Sequence, residues 1–179
     1  MKIFFDTEFT GLHKDTSLIS IGLVDENGKT FYAEFLDYNQ DQVNDWIREN
    51  VINHLSFNLF ATKLEVKNGN TEMKGPKKYV ADCLKIWLAN YDDIQLVSDV
   101  CHYDMVLFID MFGDAFSIPE NVSPVCHDIN QDIATYYNIS EKEAFDKSRE
   151  EISDKIEGDK HNALYDAKVI KNIYYKLRK

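Results

Sequence analysis

Residues 2–36, KIFFDTEFTGLHKDTSLISIGLVDENGKTFYAEFL, carry the pattern that decides the fold. Residues 2–6 read as a short buried strand, apolar until Asp6 interrupts them. Residues 17–25 (SLISIGLVD) are β-rich, and Glu26-Asn27-Gly28 brings the Asn-Gly turn signal. Residues 29–36 (KTFYAEFL) then alternate as a returning strand. Three strands joined in this way predict an antiparallel meander.

Outward from the meander the periodicity becomes helical. Residues 41–50 predict a helix with Val43, Trp46 and Ile47 on one side. Residues 66–75 are polar, contain Gly69 and Gly75, and read as a loop. Pro76 opens a helix at its first turn, running to about Tyr91 with Val80, Leu84, Trp87 and Leu88 as its apolar stripe. A buried strand is expected over 94–100 and a helix over 102–112, stopped by Gly113. Residues 117–124 hold Pro119 and Pro124 and read as loop, and Val125-Cys126 as a short strand. Helices follow near 128–137 and 140–151. A last one covers 162–177 with Leu164, Ala167, Ile170, Ile173 and Leu177 inward. A meander followed by strand–helix crossovers predicts an α/β layered sheet. A length of 179 residues fits a single domain, 1–179, with enough core to fold unaided.

The apolar fraction of 44% is ordinary for a globular chain. The three cysteines, Cys83, Cys101 and Cys126, form no CxxC pair, which points away from a disulfide framework or zinc site and toward a reducing cytoplasm. The opening apolar stretch is too short for a signal peptide. The longest apolar run, Leu18 to Val24, is too short to cross a bilayer, so no membrane partner is expected. A formal charge of −11 argues against coating duplex DNA through a broad basic face. One segment departs from that charge: Lys63, Lys67, Lys74, Lys77 and Lys78 against Glu65 and Glu72 make residues 63–78 locally +3. It is either a solvated loop or a patch that holds a nucleic-acid strand.

Three motifs carry chemistry. Asp6 and Glu8 are two apart at the end of the first strand, so they point to one face and repel unless a cation lies between them. Hard oxygen ligands of this kind suit a divalent ion such as Mg²⁺ or Mn²⁺ rather than zinc. The strand Ile94–Val100 leads into His102-Tyr103-Asp104, which places Asp104 on the first turn of a helix, where the dipole favours an acid. Asp99 competes for this role but falls on the strand. In the third motif, His161-Asn162-Ala163-Leu164-Tyr165-Asp166-Ala167, the histidine precedes the aspartate by five residues. Five residues of ideal helix turn about 500°, which would leave the two side chains apart. His161 therefore belongs to the loop entering the helix, and Asp166 to its first turns. His13, His54 and His127 show no partner pattern, and His54 sits among apolar residues.

Asp6-Thr7-Glu8-Phe9-Thr10-Gly11-Leu12, Asp104 and the His161–Asp166 run, in this order, resemble the DEDDh (DnaQ-like) 3′-to-5′ exonucleases, which include RNase T and oligoribonuclease. The compact layout looks most like a small bacterial and phage branch of 3′-to-5′ exoribonucleases. The resemblance implies an RNase H-like mixed sheet flanked by helices, with the second strand antiparallel to its neighbours. It implies a two-metal hydrolase of single-stranded RNA (or DNA) 3′ ends. Asp6 would bridge both ions, Glu8 and Asp166 would complete the first site, and Asp104 would hold the second. His161 would be the general base on the attacking water. Thr10 would hold the 3′ end and Leu12 would wedge against the last base. Phe9 replaces a frequent threonine. Several small relatives are homodimers, so a homodimer is expected, in which residues 63–78 reach a neighbour's site. The motifs leave open a DNA exonuclease and a non-catalytic nucleic-acid-binding domain on the same fold.

Overall fold

The structure is a computed structural model, and it describes residues 1–57 and 61–179. The meander is present as β1 (Lys2–Phe9), β2 (Leu18–Asp25) and β3 (Thr30–Phe35). It is followed by α1 (Asp45–Asn50), β4 (Lys63–Lys67), β5 (Asn70–Gly75), α2 (Lys77–Leu88), β6 (Gln95–Ser98) and α3 (His102–Phe112). The chain closes with β7 (His127–Asp128), α4 (Ile129–Tyr137), α5 (Glu141–Phe145), α6 (Arg149–Ile152) and α7 (Ala163–Lys176). The sheet order is β4-β5-β3-β2-β1-β6-β7. β2 runs antiparallel to both β1 and β3, whereas β1–β6, β6–β7 and β3–β5 pair parallel. This is the mixed RNase H-like sheet that the motifs implied.

Side-chain alternation along β1 explains the two layers. Ile3 and Phe5 point into a core shared with Val80, Leu84 and Leu88 of α2 and Leu107 and Phe108 of α3. Phe4 points the other way, into a core with Ile129 and Ile133 of α4 and Ala167, Ile170 and Ile173 of α7. The ring of Phe4 meets Tyr174 edge-on at 5.3 Å, and that of Phe5 meets Phe108 at 5.8 Å. Asp6 and Glu8 follow Phe4 in the alternation, so they face α7.

One glycine sets how closely α7 approaches. Gly22, in the middle of β2, is the cross-strand partner of Asp6. A Cβ at Gly22 would lie 2.3 Å from the Leu164 nitrogen and 2.4 Å from the carbonyl carbon of Ala163. The first turn of α7 thus rests directly on the sheet beside Asp6, and only glycine permits it.

The sequence-based expectations fail at four places. Residues 66–75 are not a loop: β4 and β5 form a hairpin, turning at Asn68 (φ 54°) and Gly69 (φ 81°). Both central residues have positive φ, the requirement of a tight hairpin turn, and Asn-Gly meets it. The strands read as polar because β4 lies at the sheet edge and leaves Leu64 and Val66 exposed. The expected helix 140–151 is two short helices, because Ser148 takes extended backbone and begins a second one. The short strand falls at 127–128 rather than 125–126. The helix expected over 41–50 is only Asp45–Asn50, which leaves Val43 outside it; of the three residues placed on one side, Trp46 is exposed and Ile47 is buried.

The lysine-rich segment is not a free patch. Lys74 is buried, donating to Glu34 Oε2 at 3.0 Å and to the Phe57 carbonyl at 2.7 Å, and Glu34 Oε1 accepts from the Tyr32 hydroxyl and the Phe57 amide. Lys63, Lys77 and Lys78 pair with Glu65, Asp110 and Asp82. The charge that stood out in the sequence is largely met by acids from elsewhere in the fold.

Gly22→Ala should lower unfolding free energy by ~1–3 kcal/mol, since the new methyl overpacks a backbone–backbone contact and α7 must shift. Urea denaturation measures it, and wild-type stability in the variant would contradict the contact.

Candidate active site

Asp6 and Glu8 form the floor of a cleft of about 500 Å³ whose lining also includes Asp99, His161 and Asp166. The β1–β2 ladder shifts register between Glu8 and Phe9, a bulge at the point where the chain leaves the sheet for residues 10–17.

Asp104 arrives from the other layer. The parallel ladder between β1 and β6 stops at Phe4↔Val97, so the Thr7 amide lies beyond any strand partner on that side. Asp104 Oδ1 accepts that amide at 3.0 Å and the Thr7 hydroxyl at 2.5 Å, while its Oδ2 accepts from Ser98 at 3.2 Å. The aspartate thus completes the sheet edge and is held beside Asp6. Its competitor Asp99 lies just past β6 and is taken by Arg149, whose Nε and Nη2 donate to it at 2.5 and 2.8 Å. Between them Val100 has φ 51°, an unfavourable value for a β-branched residue, and its amide donates to Asp128.

His161 stands outside α7, as its spacing requires. Asn162 caps the helix, accepting from the amides of Leu164 and Tyr165. His161 has φ 64°, and its amide donates to Asp166 Oδ2 at 2.9 Å. Its Nδ1 lies 3.9 Å from Glu8 Oε1. One ligand atom from each of Glu8, His161 and Asp166 falls within 4.8 Å of the others, a spacing that suits a metal ion. The Trp46 ring meets the imidazole edge-on at 5.3 Å, so the side chain expected in the core instead flanks the histidine.

Among the described residues, His161 is the one basic side chain within ion-pair distance of these four acids. Burial and mutual repulsion therefore outweigh what opposes them. Asp6 is raised well above the ordinary carboxylate range by burial and by the charges of Asp104, Asp166 and Glu8. Burial, then Asp166 and Asp104, push Glu8 up to about 8. Burial raises Asp166 to about 7, although the His161 amide opposes it. Asp104 rises by burial to about 6, held back by Thr7 and Ser98. Burial, Lys160 and His54 lower His161 below the ordinary imidazole value, against Glu150. Lys160 offsets Asp166 only in part, and four crowded oxygen donors that resist carrying charge fit divalent cations.

Thr10 and Leu12 part company. Thr10 is buried; its hydroxyl donates to Gln42 Oε1 at 2.5 Å and accepts the Ser17 amide at 2.9 Å. Leu12 is 79% exposed, which excludes core packing as its role. Phe9 stacks on Tyr103 at 5.3 Å. Gly22, Trp46 and the Asp99–Arg149 pair escaped the motif reading. Of these, only a glycine inside a strand was a visible signal. His54 lies 3.9 Å from Asp159, and His127 pairs with Asp132 at 2.7 Å.

These shifts fix a stability profile for the metal-free protein. The acids bind protons more tightly folded than unfolded. Their contribution is therefore full below the ordinary carboxylate pKa of ~4 and is lost as pH rises through the folded values. In chelator, the wild-type melting temperature should fall from about pH 5 to about pH 8 more steeply than that of Asp6→Asn, which relieves the repulsion. Parallel profiles for the two proteins would contradict the crowded-acid description.

Comparison with known proteins places the chain. Residues 1–177 match the model of the 3′-5′ exoribonuclease Rv2179c-like domain. The chain is 25% identical over 134 residues to the 3′-5′ exoribonuclease Rv2179c of Mycobacterium tuberculosis H37Rv, covering 73% of each chain. The same figures hold for 3′-5′ exoribonuclease MT2234.1 of strain CDC 1551. In structure, 99% of the chain superposes with a TM-score of 0.64 and 14% identity on a protein described in 3′-end specific recognition of histone mRNA stem-loop by 3′-exonuclease, spanning 62% of that chain. A full-length 3′-exonuclease gives a TM-score of 0.58 at 15% identity, with 99% and 80% of the two chains covered. Among the described residues no helix is long and apolar enough to cross a membrane. With nearly its whole length matched by one family model, this chain belongs to the Rv2179c-like family of 3′-5′ exoribonucleases, built on the RNase H-like fold.

Proposed function

We propose that the cleft hydrolyses the terminal phosphodiester of single-stranded RNA from its 3′ end. Asp6, Glu8, Asp104 and Asp166 would hold two divalent cations, Mg²⁺ or Mn²⁺, and His161 would act as general base. The observation that carries this reading is that Asp6, Glu8 and Asp166 line one cleft with His161, while the charge of buried Asp104 of α3 reaches Asp6 and Glu8. Bound divalent ions supply charge relief on the phosphate and acidify the attacking water.

The protein's own residues do the rest. Asp6 is the acid on which the charges of Asp104, Asp166 and Glu8 all act, so it would suit a ligand shared by both ions. Thr7 and Ser98 fix the orientation of Asp104. The His161 Nδ1 faces Glu8, which leaves Nε2 as the atom to take a proton from the attacking water. Burial lowers the pKa of that imidazole, which favours the neutral form that can accept a proton. Because the Thr10 hydroxyl is engaged inside its loop, Thr10 serves the 3′ end by shaping the loop backbone. Exposed Leu12 is free to wedge against the last base. The homodimer remains part of this reading; β4, with Leu64 and Val66 exposed, offers an open sheet edge for a second copy, and light scattering decides it.

His161→Asn should retain metal binding, since all four acids remain, yet lower turnover on 3′-labelled RNA by ~10²–10⁴-fold. The ascending limb of the wild-type pH profile, where imidazole loses its proton, should vanish in the variant. Circular RNA should resist both proteins. Near-normal turnover in the variant would defeat the general base. Loss of metal binding would make His161 a ligand beside Glu8 and Asp166, and rapid cutting of circular RNA would defeat the exonuclease.

A further inference from the structure

We propose that Arg149 is a positioning residue: it holds the turn of residues 145–148 as one wall of the cleft, so that Phe145 and Lys147 contact the RNA on the 5′ side of the bond being cut. The inference rests on the exonuclease reading above and adds how the strand beyond the terminal nucleotide is gripped.

The first observation is the saturation of Arg149. Its side chain is only 15% exposed. Nε and Nη2 bind the two oxygens of Asp99, Nη2 also donates to Asn130 Oδ1 at 2.9 Å, and Nη1 donates to the carbonyls of Ala144 at 2.6 Å and Lys147 at 2.9 Å. One guanidinium thereby ties the turn after β6, helix α4 and the end of α5 together. Lysine, a point charge on a flexible stem, cannot span this set.

The second is that the turn needs such a tie. α5 has five residues and α6 has four, lengths at which a helix has no stability of its own. Arg149 donates to the Ala144 carbonyl in the last turn of α5 and to the Lys147 carbonyl just beyond it, fastening the turn on both sides of the helix end.

The third is what the turn presents. Residues 145 and 147–149 line the same cleft as Glu8, His161 and Asp166. Phe145 is 60% exposed, an aromatic face in solvent at the rim of an acidic cleft. Lys147 is exposed and sits 4.7 Å over the Tyr137 ring. An exposed aromatic beside a lysine is the pairing that stacks a base and meets a phosphate of a single strand. Thr10 and Leu12, assigned to the terminal nucleotide, do not line this cleft, so the turn addresses the adjoining part of the strand.

Two substrates separate the roles. One is a single-stranded RNA oligomer; the other is a nitrophenyl ester of a nucleoside 5′-monophosphate, which offers a terminal nucleotide and no strand beyond it. With Mn²⁺ present, Arg149→Met and Arg149→Lys should raise the RNA KM by ~10-fold or more, the scale of a lost base stack, while the KM for the ester moves far less. Phe145→Ala and Lys147→Ala should reproduce the same split, and both sites are exposed, so they decide the matter if the Arg149 variants do not fold. Equal losses on the two substrates would place Arg149 in support of the catalytic acids and overturn the proposal, as would an unchanged RNA KM in all four variants. Wild-type protein inactive on both substrates would instead defeat the exonuclease reading itself.

Discussion

The site is arranged around the repulsion among four carboxylates: Asp6, Glu8 and Asp166 line one cleft, and Asp104 lies buried close enough to add its charge to theirs. Left to itself, a group of acids so placed would open the fold or take up protons, and the raised values of Glu8, Asp166 and Asp104 show the second response. No lysine or arginine among the described residues forms an ion pair with these four acids, and Lys160 eases Asp166 only from a distance. The fold keeps the nearby cation, Arg149, turned toward Asp99, a fifth acid that would otherwise add to the crowd. A recess with excess negative charge and defined oxygen positions is a poor site for RNA alone and a good one for RNA together with divalent ions.

The sheet supplies the precision. Asp6 and Glu8 are set by strand alternation, which needs nothing beyond their spacing. Asp104 is set by a gap in the ladder, where β6 ends early and the Thr7 amide takes a side-chain acceptor instead of a strand. Asp166 and His161 are set by how closely α7 can lie on β2, which Gly22 governs. Three different local rules thus fix the four acids, and the rules meet because β1, β2 and β6 are neighbours in the sheet.

Much of this was legible beforehand, for a physical reason. The meander, the antiparallel β2 and the later crossovers follow from periodicity and turn chemistry that act locally. His161 could be assigned to the loop before α7 from helix geometry alone. The β4–β5 hairpin was missed because an edge strand exposes both polar and apolar residues, so its alternation marks no core, although Asn68-Gly69 is a hairpin signal. The lysines of residues 63–78 looked like a patch because Glu34 and Asp110, which meet Lys74 and Lys77, are remote in sequence, and Asp82, which meets Lys78 one helical turn on, lies just outside the segment. Arg149 was invisible for the same reason: its partners Asp99 and Asn130 lie 50 and 19 residues away.

Calorimetric titration of the protein with Mn²⁺ at neutral pH, in two buffers of different ionisation enthalpy, tests the central claim most directly. Because Glu8 and Asp166 are raised to about 8 and about 7, both are partly protonated at neutral pH in the metal-free protein, and cation binding must expel those protons. The account predicts an observed heat that differs between buffers and a net release of protons on binding. Binding with the same heat in both buffers, or no binding of Mn²⁺ at all, would contradict it.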